Sequence, residues 1–455
     1  MKYLIFICLF FSLQISSQQK FLVGEITSKI SVNNSKNETF ELYLPSKYNS
    51  KKENAIIFIF DPSGIGKIGI KPFIPAAEDF NYILVCSNNA KNGPYQINFE
   101  IANRLFAHVF SVLNIDEKQI YTAGFSGGSR LASSIAVLTN SIQGVIGCGA
   151  GFANQARVFP NTNNKFSYVG LVGDEDMNYH EMLDLKLWLN KININNELFT
   201  YQDGHRWPHT KQIKRAVGWL ELQSYKKGIR KVDEKIVKSL FLDDLKYANQ
   251  IKQKQPYNSV VEYNRILKSY TDYYNLDSIS DKISFLKKRK DFKKEIKLRK
   301  KIKQREIEIF DLLHGEFKKE LTFSRPTLNS KWWNKEIKKL DKTLIKSKSI
   351  FTSKMVKRVR YRIFAAAIEG SNNFIRNNQI RKALYCDSLV TLLKPKTWWA
   401  YYRLAKSYAR VNQFNEVITS LKKAIDLGLN DINILLKTKE FNSYHEKNEF
   451  KELLK

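Results

Sequence analysis

Cysteine is scarce in this chain, with four residues in 455. Cys8 falls in an N-terminal apolar run, which leaves Cys86, Cys148 and Cys386 as an odd and scattered set. That excludes the paired, regularly spaced framework of a disulfide-stapled domain. Cys86 and Cys148 sit in strand-like apolar runs, where a thiol serves as a small buried hydrophobe. Long apolar runs are missing as well: beyond the N-terminus no segment approaches the roughly 20 apolar residues of a spanning helix. Metal-ligand spacing, a dinucleotide fingerprint and a phosphate-binding P-loop are absent too, so the sequence implies no cofactor and no metal. Histidine is limited to six residues, which narrows the choice of a general base.

What is present begins with Lys2 and an apolar run of 11 residues, 3–13, broken only by Ser12. The segment Gln14-Ile15-Ser16-Ser17-Gln18 then supplies a small residue, and a cut is expected after Ser17. Residues 1–17 thus read as a cleaved export signal. The run is too short for a membrane anchor, and Cys8 has no lipobox-like context. The expected destination is periplasmic or extracellular.

The net charge is +31, and residues 287–305 alone hold twelve Lys or Arg against Asp291 and Glu295. Such a stretch invites a nucleic-acid reading. However, Phe285, Phe292, Ile296, Ile309 and Leu313 recur through it at helical intervals. The basic residues then form the solvated face of a long helix, and export removes most nucleic-acid partners.

A chain of 455 residues exceeds one ordinary core, so two or three compact units are expected. Residues 18–225 alternate short β-rich runs (22–32, 39–44, 55–60, 82–87, 120–124, 145–149, 167–172, 198–202) with helical stretches (96–113, 127–138, 179–190, 210–222). Runs such as Ile56-Ile57-Phe58-Ile59-Phe60 suit strands covered on both faces. The alternation predicts an α/β architecture, a doubly wound, mostly parallel sheet. The first two strands, joined by a polar turn, read as an antiparallel addition at one edge. Beyond Tyr225 the strand signal stops. Residues 226–365 form a Lys-rich helical region with turns near Pro256 and Pro326. Residues 366–455 carry a weak repeat. Tyr401, Leu404, Ala405, Tyr408, Val417, Leu421 and Ala424 fall where a tetratricopeptide repeat packs its helix pair, and Phe374 and Ala383 lie one 34-residue period earlier. This all-α part resembles tetratricopeptide-like helical repeats and is a candidate surface for a protein partner.

Gly124-Phe125-Ser126-Gly127-Gly128 carries the chemistry. It follows the strand ending at Ala123 and opens a helix, the setting in which G-x-S-x-G forms a nucleophile elbow, although a glycine-rich turn would look alike. Small flanking residues let the turn tighten, and the N–H of Gly127 would point at a developing oxyanion. A serine needs a base. The strand at 198–202 is followed by Asp203-Gly204-His205-Arg206-Trp207-Pro208-His209, and His205 lies in the loop proper while His209 begins the next helix. The strand at 167–172 is followed by Asp174, Glu175 and Asp176, any of which could be the acid.

These segments resemble the esterase and depolymerase-like α/β-hydrolases related to dienelactone hydrolase, over roughly residues 20–225. In them a glycine precedes the acid by three residues and the histidine sits in a Gly-His loop. The resemblance implies Asp176, three after Gly173, with Asp174 next in line, and His205 after Gly204. It also implies a second oxyanion donor at Ser63 or Gly64, in a loop, Asp61-Pro62-Ser63-Gly64-Ile65-Gly66, that departs from the HGGG form. The loop 87–94 either lines the pocket or is a plain polar turn. The short connection 149–167 leaves no room for a lipase-type lid. The sequence therefore points to an exported serine hydrolase acting on a carboxylic ester, free or linked to carbohydrate or polymer. A serine peptidase and an inactive, partner-binding relative are the alternatives.

Overall fold

The computed structural model describes residues 21–454, so the expected export signal with Cys8 lies outside the described residues. Among the described residues are eight strands: β1 Ile26–Ser31, β2 Thr39–Tyr43, β3 Asn54–Phe60, β4 Tyr82–Ser87, β5 Ile115–Phe125, β6 Gly144–Cys148, β7 Ser167–Gly173 and β8 Asn196–Tyr201. They form one sheet in the order β1-β2-β4-β3-β5-β6-β7-β8. β1 pairs antiparallel with β2, and β2 with β4; β3 is parallel to both β4 and β5, and β7 to β8. This strand order, with its antiparallel edge addition, is that of the α/β-hydrolase fold. All residues of β3, β4 and β7 are buried, which is why these strands read as unbroken apolar runs rather than alternating ones. The β1–β2 turn closes on Asn34, whose φ of 60° suits an asparagine.

The first six helices are α1 Gly66–Ile70, α2 Ile74–Phe80, α3 Tyr95–Val112, α4 Gly127–Thr139, α5 Tyr179–Lys191 and α6 Thr210–Lys226. α1 and α2 had no counterpart in the sequence reading. Pro72, in a single 3-10 turn (Lys71–Phe73) between them, and Pro75, in the first turn of α2, obscure them, yet at such positions a missing N–H costs nothing. Eleven more follow: α7 Glu234–Ile251, α8 Pro256–Tyr270, α9 Asp277–Lys288, α10 Lys290–Glu320, α11 Ser330–Lys346, α12 Ile350–Arg376, α13 Ile380–Leu393, α14 Trp398–Ala409, α15 Phe414–Asp426, α16 Asn433–Lys437 and α17 Asn448–Glu452.

The chain divides into two compact units. The first runs to Gly147 and adds Phe152–Ser167 and His209–Glu221. Within it α4 packs on β5 and β3, and α1 and α2 pack on β4. The second holds Cys148–Gly151, Tyr168–Pro208 and the chain from Leu222 onward. Its helices surround three apolar clusters, centred on Tyr263, Ile266 and Tyr270; on Trp333, Val356 and Leu389; and on Val417, Leu421 and Phe441. In the first of these helical layers Arg265 is buried between Asp244 and Glu262, each at 2.6 Å. The basic stretch 287–305 is divided between two helices, since Arg289 is extended between α9 and α10. Of its apolar residues, Phe292 and Leu313 are buried, but Phe285 is 67% and Ile296 42% exposed.

Candidate active site

In the first unit, β5 delivers the chain directly into Ser126, which precedes α4 with φ 52° and ψ −118°. A serine pays strain of about 1–3 kcal/mol to hold such a backbone. The glycines around it are fixed by lack of space. A Cβ on Gly128 would lie 2.0 Å from the carbonyl oxygen of Phe60, and one on Gly124 would lie 2.2 Å from the carbonyl oxygen of Gly128. The turn therefore closes on the end of β3. Gly127 faces a side chain instead: its Cβ would meet Oδ1 of Asn92 at 1.8 Å.

Two loops border this turn in the same unit. In the loop after β3 the N–H of Ser63 donates to Asp61 Oδ1 at 2.9 Å and that of Gly64 to the Asp61 carbonyl oxygen at 3.0 Å. Both expected donors are thus engaged within their own turn. Gly64 has a φ of 69°, which favours glycine, and a Cβ there would press on the Asn88 carbonyl oxygen at 3.0 Å. The loop after β4 is tied to this one, since Asn92 N–H donates to the Pro62 carbonyl oxygen at 2.8 Å and Gly66 N–H to Asn88 Oδ1 at 2.9 Å.

In the second unit the loops after β7 and β8 are held together. Asp174 N–H donates to the Tyr201 carbonyl oxygen at 2.8 Å, and Glu175 N–H to that of Asp203 at 2.9 Å. A Cβ on Gly173 would meet the Asp203 carbonyl oxygen at 2.3 Å, so only glycine permits this approach. His205 Nδ1 then donates to Asp176 Oδ2 at 2.8 Å, and Asp176 is 1% exposed. The other carboxylate oxygen, Oδ1, accepts from Asn178 N–H at 2.8 Å. Asp174 turns the other way, onto Lys354 Nζ at 2.5 Å. Burial raises its carboxyl above the usual range against the pull of that lysine. Glu175 pairs with Lys357 at 2.8 Å.

Three further residues stand beside these groups, of which the sequence offers only Asn92, as a member of the loop 87–94. Asn92 faces Gly127 in the first unit. In the second, the ring of Tyr361 lies 5.6 Å from that of His205, and burial, reinforced by the Asp176 charge, holds its hydroxyl above its ordinary pKa. Arg358 donates to the Asp174 carbonyl oxygen at 2.5 Å. Tyr361 and Arg358 carry no local motif. A cavity of about 1000 Å³ in the second unit is lined by Asp174, Lys354 and Arg358 together with Tyr201, Tyr257 and Arg299.

Neither a family model nor a curated protein sequence matches the chain. Solved structures do. S-formylglutathione hydrolase FrmB from Staphylococcus aureus matches at 16% identity over 44% of this chain and 99% of its own, with a TM-score of 0.36. The esterase of Pyrobaculum calidifontis matches at 10% identity over 45% and 87%, TM-score 0.37. The feruloyl esterase module from Clostridium thermocellum, bound to sinapinate, matches at 14% identity over 43% and 87%, TM-score 0.36.

Proposed function

We propose that this chain is an exported serine hydrolase that cleaves a carboxylic ester, with Ser126 as nucleophile, His205 as base and Asp176 as the acid. The observation that carries the reading is the backbone of Ser126. A non-glycine residue held at positive φ between a buried strand and a helix, in a turn where Gly124 and Gly128 have no space for a Cβ, is strain with no structural return. It is the conformation expected where a side chain must stand exposed at the strand end. The paired His205 and Asp176 support the same reading, because a hydrogen bond from Nδ1–H to a buried carboxylate leaves Nε2 to accept a proton.

In this mechanism Ser126 Oγ attacks the ester carbonyl carbon while its proton passes to His205 Nε2. The N–H of Gly127 holds the oxyanion, and the amide of Ser63 or Gly64 joins it by exchanging its bond to Asp61. Each such donor is worth on the order of 10²–10³ in rate. Collapse of the tetrahedral adduct expels the alcohol, which takes the proton from His205 and leaves an acyl-serine. Water, deprotonated by His205, then attacks the acyl carbon, and Ser126 Oγ leaves with the proton returned by His205, which releases the carboxylic acid. Carbohydrate acyl esters, polyesters and small carboxylic esters are the substrates to test. The tetratricopeptide-like spacing of the C-terminal helices is the part of this reading that would recruit a protein partner.

The test is covalent labelling of the mature chain by a fluorophosphonate, with Ser126→Ala and His205→Ala as controls. Labelling that requires both residues supports the reading, and graded esters then define the acyl group. A folded chain that takes no label overturns it.

A further inference from the structure

One helix of the second unit touches the acid loop and the base in sequence. Lys354, Lys357, Arg358 and Tyr361 stand at positions i, i+3, i+4 and i+7 of α12 and so share one face. Lys354 Nζ donates to Asp174 Oδ2 at 2.5 Å and Lys357 Nζ to Glu175 at 2.8 Å. The Lys357–Glu175 pair is partly exposed and holds little on its own. Arg358 differs. One arm of its guanidinium donates to the backbone carbonyl of Asp174 at 2.5 Å, and the other side forks onto Glu306 through Nε and Nη2. The same Glu306 carboxylate accepts from His180 Nε2 at 3.1 Å, at the start of α5. Glu306 is 1% exposed and Arg358 5%. A buried fork of this kind tolerates little displacement, because any misalignment leaves desolvated charge unpaired. It therefore pins the segment from Asp174 to His180 at both ends, and Asp176 lies between them. One turn further along α12, the Tyr361 ring lies against the His205 imidazole.

We propose that Arg358 and Tyr361 are positioning residues for the His205–Asp176 pair, so that α12 of the helical half is a working part of the active site. The proposal rests on the triad described above. Arg358 acts through the backbone that carries Asp176, and Tyr361 limits rotation of the imidazole. Misplacing a catalytic group by about 1 Å costs roughly 10²-fold, so a modest shift in the loop is enough to be seen in rate. A helix that merely docked on the loop would affect stability without affecting the limiting rate.

The experiment uses the full mature chain and the variants Tyr361→Leu, Tyr361→Phe, Arg358→Met and Arg358→Lys. Fluorophosphonate inactivation is measured as a function of probe concentration, which separates the limiting rate from probe affinity. Circular dichroism and the thermal midpoint report folding, and the downfield proton resonance of His205 Nδ1–H reports the pair. Tyr361→Leu is expected to lower the limiting rate at least about 10-fold with affinity unchanged within about 2-fold, while Tyr361→Phe retains most of the rate. Arg358→Met is expected to lose more than Arg358→Lys. Folded Tyr361→Leu and Arg358→Met proteins that label at the wild-type rate would overturn the proposal, as would equal losses in Tyr361→Leu and Tyr361→Phe. If Arg358→Met does not fold, the two Tyr361 variants decide. If the wild type takes no label, the triad reading fails. The Nδ1–H resonance then decides the positioning role: its loss in the two disruptive variants supports the role, and its persistence removes it.

Discussion

His205 Nδ1 stands 2.8 Å from Asp176 Oδ2, whereas Asp174, two residues earlier in the same loop, ends on Lys354 at 2.5 Å. The two carboxylates should therefore fail differently. Asp176→Asn removes the acceptor that holds the Nδ1–H tautomer, and turnover is expected to fall by about 10⁴. Asp174→Asn keeps the backbone carbonyl that Arg358 grips and forfeits only the Lys354 pair, so a loss of about 10-fold or less is expected. Fluorophosphonate labelling of both variants measures this. The opposite ranking would give the role of acid to Asp174.

The elbow glycines are likewise unequal. Gly128→Ala would drive a Cβ to 2.0 Å from the backbone oxygen of Phe60, and neither the strand end nor the helix start can yield cheaply. A destabilisation of about 3 kcal/mol, with loss of labelling, is expected. Gly127→Ala meets only the tip of the Asn92 side chain, at 1.8 Å. It should cost about 1 kcal/mol or less, and Asn92→Ala in the same chain should recover most of that. Denaturant unfolding of the single and double variants checks both statements. A Gly127→Ala defect that persists without the Asn92 side chain would mean that the backbone, not the contact, is limiting.

How far the sequence reached follows from which interactions are local. β3, β4 and β7 were legible because burial on both faces leaves an unbroken apolar run, and the edge hairpin because its turn is polar. The tight turn at Ser126 was legible because strand, turn and helix are contiguous around it. Asp174, Glu175 and Asp176 could not be ranked by pattern, since what separates them is the direction in which each side chain leaves one short loop. The contacts of α12 left no trace at all. Arg358 and Asp174 are 184 residues apart, and in sequence Arg358 is one basic residue among many on an amphipathic helix. Phe285 and Ile296 recur at helical intervals in the sequence, yet both are exposed, and periodicity alone does not separate them from the buried Phe292.

Glu306 links stability to pH. Burial pushes its carboxyl up, but the hydrogen bonds from His180 and Arg358 outweigh it and hold the pKa below its ordinary value of 4.5. A carboxylate depressed by folding contributes stability that is fully present above the unfolded value and is lost as pH falls through the folded one. The stability gap between wild type and Glu306→Gln should therefore be widest above about pH 5 and should narrow toward about pH 3. Denaturant unfolding at graded pH reads this directly. A gap that stays constant over that range would show that the Glu306 charge contributes nothing to folding.

Ser126 sets function against stability. Its φ of 52° and ψ of −118° cost a serine strain that glycine does not feel. Replacing it by glycine returns that strain, on the order of 1–3 kcal/mol, and gives back less than about 1 kcal/mol through the looser unfolded chain. Ser126→Gly should therefore take no fluorophosphonate label and yet unfold at a higher temperature than wild type. Ser126→Ala, which removes the hydroxyl but keeps the Cβ, should lose labelling without that gain. The comparison isolates backbone from side chain, because the two variants share the chemical defect and differ only in the strain. If both variants unfold with the wild type, the turn is not strained, and the backbone of Ser126 no longer marks it as a nucleophile.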